Sequence, residues 1–296
     1  SSAASDVYKR QGNALDNVII GNIRANSLSG LDGHDYLLGG DGLDFLRGGD
    51  GIDILQGGAH ADLLYDVTGN TLFDGGAGID VLVGNEQNSI VTGGPGVDLI
   101  GLGAGHDIVL YNLGDGLDAV TSKPGASDTI SLGGGLSYSD MKMRKLGDNL
   151  VLKAGTGQSL TLRDWYDSPE NQTVANLQVI AESMVEFDAA SADPLLNSKV
   201  QTFDFRAIVD EFDSARVGKS WFWQWSVMDV LLDAHLASSD TEALGGDLAY
   251  QYGVNGSLTG IGVTAAQDVL NAPQFGSGAQ TLRPIEDLQQ GPTRLS

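Results

Sequence analysis

The sequence predicts a mainly β protein: a solenoid of short stacked strands, then a β-rich cap and a small helical C-terminal region. Three observations predict the solenoid. First, residues 12–110 divide without an insertion into eleven nonapeptides: GNALDNVII, GNIRANSLS, GLDGHDYLL, GGDGLDFLR, GGDGIDILQ, GGAHADLLY, DVTGNTLFD, GGAGIDVLV, GNEQNSIVT, GGPGVDLIG and LGAGHDIVL. Second, the eighth position of every unit is apolar: Ile19, Leu28, Leu37, Leu46, Leu55, Leu64, Phe73, Leu82, Val91, Ile100 and Val109. Third, glycine recurs at positions one, two and four, where it permits positive φ and close backbone approach. Each unit therefore reads as a six-residue turn and a three-residue strand. So short a strand, with one inward apolar side chain, is buried only by stacking on its neighbours.

Position six carries the chemistry. It is Asp in seven units, at Asp35, Asp44, Asp53, Asp62, Asp80, Asp98 and Asp107. The pattern G-G-x-G-x-D-x-(apolar)-x resembles the haemolysin-type calcium-binding repeat of RTX proteins. That resemblance implies a parallel β-roll with two units per coil and strands about 4.8 Å apart. Odd and even units then form separate edges, and each position-six Asp lies near the one two units later. At roughly 5 Å and an effective dielectric near 20, two such charges repel by on the order of 3 kcal/mol. A divalent, oxygen-seeking cation reverses the sign. Ca²⁺ takes six to eight oxygens from carboxylates and carbonyls, whereas Mg²⁺ demands a tight octahedron. With no Cys and four His, the chain is poor in transition-metal ligands.

The two edges are expected to differ. One carries Asn26, Asp44, Asp62, Asp80 and Asp98, which gives three successive Asp–Asp pairs. The other carries Asn17, Asp35, Asp53, Thr71, Ser89 and Asp107, where Thr71 and Ser89 break the run. Four principal calcium sites follow. His60 replaces a turn glycine in the Asp62 unit and is expected to strain it. After Leu110 the register slips, but Asp118 and Asp128 keep the ligand phase in two terminal coils of the roll, which ends near residue 131.

Composition narrows the function. The 296 residues carry a net charge of −23 and a pI near 4.1, which favours cations and excludes nucleic acid as a partner. The absence of Cys excludes disulfide staples and thiol catalysis. No apolar run reaches the ~20 residues of a membrane span. No HExxH zinc motif and no GxSxG elbow occurs, so this chain is expected not to be an enzyme. The leading SSAASDVYKRQ reads as the translation of a sequencing-library adapter. Residues 1–11 are accordingly expected to be foreign to a chain that is itself a piece of a longer protein.

Beyond the repeats, residues 132–187 are expected to form a β-rich cap. MKMRKL, LVLKAG and SLTLRDWY alternate apolar and polar residues around the turns GDN and TGQ, and a further strand ends near Phe187. Trp165 and Tyr166 are expected in its core. Residues 188–201 read as a linker. Thr202 is a candidate N-cap for a helix whose apolar face is Phe205, Ile208, Val209 and Phe212. A second helix is expected from about Ser220, with Trp221, Trp225, Met228 and Leu232 on one stripe. A short one opens at Thr264, and the Gly/Pro/Gln-rich tail from Phe275 is expected to be loose. The resemblance, carried by 12–187, further implies a secreted bacterial protein that folds on calcium after export. The type I secretion machinery would read a signal in 202–296. The parent would be a toxin or enzyme, or a surface adhesin or matrix protein.

Overall fold

In the computed structural model, which describes residues 8–219 and 224–296, each nonapeptide turn returns the chain to the opposite sheet of a parallel β-roll. One sheet stacks Tyr8–Gln11, Asn26–Asp32, Phe45–Asp50, Leu63–Tyr65, Val81–Val83, Leu99–Gly101 and Leu117–Thr121. The other stacks Val18–Ile20, Tyr36–Asp41, Asp53–Ala59, Thr71–Ala77, Ser89–Thr92, Ile108–Asn112 and Asp128–Gly133. Pairing is parallel and two units in register, so Leu37 lies beside Leu55 and Leu55 beside Phe73. All eleven position-eight side chains are buried and form one continuous core. At the open end, Arg10 pairs in register with Leu28. It stays exposed, so Tyr8–Gln11 adds an edge strand without extending the core.

The cap closes the other end by continuing both sheets. Ser159–Leu162 joins the first sheet in parallel with Leu117–Thr121, and the antiparallel strands Asn149–Ala154 and Met141–Leu146 follow. Val174–Ile180 joins the second sheet, and Val200–Asp204 and His235–Ser239 extend it antiparallel. The roll's core runs unbroken into Met141, Leu150, Trp165, Phe203 and Phe205. Trp165 is buried and meets the Phe205 ring edge-on at 5.7 Å.

Several local expectations are corrected. Thr202 lies within Val200–Asp204, and the helix α1 (Phe205–Arg216) is capped instead by Asp204, whose carboxylate accepts from the Ala207 amide at 3.0 Å. Sheet pairing took the residues ahead of it. The apolar face of α1 is the expected Phe205, Ile208, Val209 and Phe212. Of the second expected helix, residues 220–223 lie outside the described residues. Trp225–Ser226 is instead an edge strand on Met141–Leu146, followed by a single 3₁₀ turn, Met228–Val230. Met228 and Leu232 are exposed, so no apolar stripe forms there. Residues 188–201 bury Leu195, whose carbonyl accepts from the Tyr138 hydroxyl at 2.9 Å.

The tail from Phe275 is not loose. Three helices, α2 (Gly246–Asn255), α3 (Val263–Leu270) and α4 (Ile285–Leu288), pack with Phe275 and Leu295 against the outer face of the second sheet. They bury Tyr36, Ile54, Leu72, Ile90 and Ile108, all at position seven of odd units. The Ser296 amide donates to Gln56 Oε1 at 3.1 Å, and Gln56 in turn donates to Asp74 at 2.9 Å. On the first sheet the same phase (Phe45, Leu63 and Leu99) faces solvent. No helix among the described residues is long and apolar enough to cross a membrane.

Candidate metal centre

A position-six residue ends the turn just before its strand, so its side chain folds back under the loop and its amide faces the neighbouring coil. The result is a ladder. Asp44 Oδ1 accepts from the Asn26 amide, Asp62 from Asp44, Asp80 from Asp62, and Asp98 from Asp80, at 2.6–2.8 Å. On the other edge, Asp35 accepts from Asn17 and Asp53 from Asp35, both at 2.8 Å. Both ladders continue past the register slip. Asp118 accepts from the Asp98 amide at 2.9 Å and Asp128 from Asp107 at 3.2 Å. The irregular terminal coils therefore extend both edges, with Asp118 and Asp128 in the phase expected of them.

The second carboxylate oxygen is the informative one. Oδ2 of Asp35, Asp44, Asp53, Asp62, Asp80, Asp98 and Asp107 is buried and has no hydrogen-bond partner. A buried polar atom without a partner costs about 1–3 kcal/mol, more if charged, and six of the seven follow one geometric rule. Oδ2 of Asp35, Asp44, Asp53, Asp62, Asp80 and Asp98 points at the position-one glycine of its own unit, whereas the Asp107 unit has Leu102 in that place. A Cβ on Gly57 would meet Asp62 Oδ2 and the Gly75 carbonyl, each at 2.5 Å. Gly39 is crowded in the same way by Asp44 and the Gly57 carbonyl. Glycine is thus required where a carboxylate and a carbonyl of the next coil converge. Hard oxygen donors, anionic and neutral, facing a space without hydrogen-bond donors fit a calcium ion. Asp128 differs in that its Oδ2 accepts from the Ser122 hydroxyl at 2.6 Å.

Burial dominates the electrostatics. It pushes the carboxyls of Asp53, Asp62, Asp107 and Asp118 up to about 8, Asp80 to about 7 and Asp35 to about 6. Asp44, Asp98 and Asp128 move upward for the same reason. Neighbouring carboxylates add to the effect, as Asp128 does at Asp107. The interruption foreseen on the second edge is present. With Thr71 in place of a carboxylate, the Asp53 amide turns to the Asn70 carbonyl at 3.3 Å. His60 takes the left-handed conformation of the glycine it replaces, at φ 82°. Among the described residues no three acidic or His side chains gather at one point. The carboxylates succeed one another from coil to coil instead, each Oδ1 on the amide of the coil before.

Sequence reading missed Asp66. It stands at position one of its unit and is buried beside Asp53. Its only signal was a carboxylate in a glycine place.

The family comparison agrees with this geometry. A family model for the RTX calcium-binding nonapeptide repeat (4 copies) matches residues 11–46, 38–65 and 74–109. No curated protein matches the chain. Among solved structures, the crystal structure of extracellular lipase LipA from Serratia marcescens is similar at 15% identity and a TM-score of 0.17. The match covers 58% of this chain and 40% of that one, so the chain spans well under half of the lipase's length.

Proposed function

The chain is an RTX calcium-binding repeat protein, and on that premise we propose that its carboxylate ladders tie folding of the roll to calcium in the medium outside the cell. The repeats indicate a calcium-binding module of a secreted protein family. The folding role is our reading of the ladders, and the seven buried, unpartnered Oδ2 atoms carry it.

Bound Ca²⁺ would supply two positive charges and take up oxygens that hydrogen bonds leave free. The chain does the rest. Oδ1 of Asp35, Asp44, Asp53, Asp62, Asp80, Asp98, Asp107, Asp118 and Asp128 holds each coil's amide in place. Oδ2 of the first seven has no hydrogen-bond partner, and in six of them, all but Asp107, a position-one glycine makes room for it. Without a cation these carboxylates must repel one another or take up protons. The roll's core is only one side chain per unit deep, so it cannot offset many such repulsions. Ligand binding to the folded form alone then drives folding by mass action.

Scarce calcium would keep the repeats open for export by a type I system, with the signal within 202–296, and abundant calcium would close them afterwards. Circular dichroism of the 296-residue chain should show little β signal with chelator and full β signal in millimolar calcium. Equal β content in both conditions would refute the folding role. Secretion unchanged after deletion of 202–296 would refute the placement of the signal.

A further inference from the structure

The seventh unit, DVTGNTLFD, breaks the repeat three times, with Asp66 and Val67 for the paired glycines and Thr71 for the position-six carboxylate. Residues 66–73 also lie between the ranges matched by the family model. In regular coils, the space at a position-one glycine is shared by its own unit's Oδ2 and the carbonyl of the position-one glycine two units on. This holds at Gly39, Gly57 and Gly75. At Gly48 the carbonyl is replaced. A Cβ there would strike Asp53 Oδ2 and, in the carbonyl's stead, Asp66 Oδ1. A carboxylate oxygen thus reaches, from position one, the space where a regular coil places a neutral carbonyl, in the same unit that lacks a carboxylate at position six.

Asp66 is held in that orientation. Its Oδ1 accepts from the Gly49 and Val67 amides, both at 2.8 Å, and its Oδ2 from the Thr71 hydroxyl and from Asn85 at 3.2 Å. Every one of these donors is neutral. Asp53 is fully buried, and its Oδ2 has no partner. Two buried carboxylates therefore face one space with no positive group between them.

We propose that Asp53 and Asp66 together hold a further calcium ion, with Asp66 replacing both the carbonyl of a regular coil and the carboxylate lost at Thr71. The proposal rests on the calcium reading of the position-six ladder. It makes the seventh unit a rewired site that carries binding across the gap in the second edge.

Native mass spectrometry of the full chain with calcium as the only added metal counts the ions. Asp66→Asn keeps the shape and most acceptor capacity of the side chain and should bind one ion fewer than wild type. An unchanged count would overturn the proposal and leave Asp66 a hydrogen-bonding plug or the holder of a proton shared with Asp53. The double variant Asp66→Gly with Thr71→Asp rebuilds a regular coil and decides the matter even where Asp66→Asn fails to fold. If the wild type already holds an ion there, the double variant binds the same number. If not, it binds one more, and the proposal falls. Asp80→Asn separates the two levels: a count it leaves unchanged refutes the ladder reading itself, whereas a fall with Asp80→Asn but none with Asp66→Asn refutes only this site.

Discussion

Replacing Ile54 by Ala should cost about twice as much stability as replacing Leu63. Both residues occupy the seventh place of their units, on opposite sheets. Ile54 is fully buried beneath the C-terminal helices, and Leu63 is 38% exposed on the open sheet. Each replacement removes three carbons, about 2.4 kcal/mol of transfer free energy at ~0.8 kcal/mol per methylene. At Ile54 the whole of that is lost and an enclosed cavity adds to it, for about 3–4 kcal/mol. At Leu63 roughly three-fifths of the side chain is covered and no cavity is enclosed, so the loss is about 1.5 kcal/mol. Urea unfolding at one fixed, saturating calcium concentration measures both, because bound calcium adds its own stabilisation. The denaturant slope should not change, since the surface exposed on unfolding is the same. A difference of about 2 kcal/mol is expected. Costs equal to within about 0.5 kcal/mol would refute the docking of residues 246–296 on the second sheet.

Three further outcomes follow from the ladders. Asp80→Ala should lower calcium stoichiometry by titration calorimetry more than Asp107→Ala, because Asp80 stands between Asp62 and Asp98 whereas Asp107 has Ser89 on one side. Without calcium, acid should favour the fold. Burial raises the folded carboxyls of Asp53, Asp62, Asp107 and Asp118 to about 8, against 3.8 ordinarily, so the folded form binds more protons between roughly pH 4 and 8 and loses stability as pH rises through that window. Each net proton is worth about tenfold in the folding constant per pH unit; β signal in chelator should therefore be greater at pH 5 than at pH 8, and the reverse order would contradict the burial of these groups. Gly57→Ala should raise the calcium concentration at the folding midpoint, since its Cβ would meet Asp62 Oδ2 and the Gly75 carbonyl, and backbone cannot give way cheaply; an unchanged midpoint would count against the close approach.

Much of the candidate site was legible because nine-residue periodicity ties residue type to position in space. Once Leu37, Leu55 and Phe73 must stack, every position-six Asp lies two units from the next, and the pairing of Asp44 with Asp62 follows from the count. Asp118 and Asp128 were legible by their phase, and they join the ladders because the extra residues before them are absorbed in the turns and the strand register survives. Asp66 was not legible. A carboxylate in a glycine place reads as damage to a repeat until the fold shows which neighbouring coil it faces.

The sequence by itself determined the roll, its inward apolar row and the phase of its acidic residues, because each depends only on local turn geometry repeated without interruption. Only the tertiary structure decided the fate of position seven. Tyr36, Ile54, Leu72, Ile90 and Ile108 are no more apolar than Phe45, Leu63, Val81 and Leu99, yet the first set is buried and the second largely faces solvent. The difference lies in a segment far along the chain. Phe275, Leu288 and Leu295 are too sparse to announce a packed element in a tail rich in Gly, Pro and Gln. They find an apolar surface on the second sheet that exists only once the strands have stacked, and burial against a distant surface leaves no periodicity in the residues that achieve it.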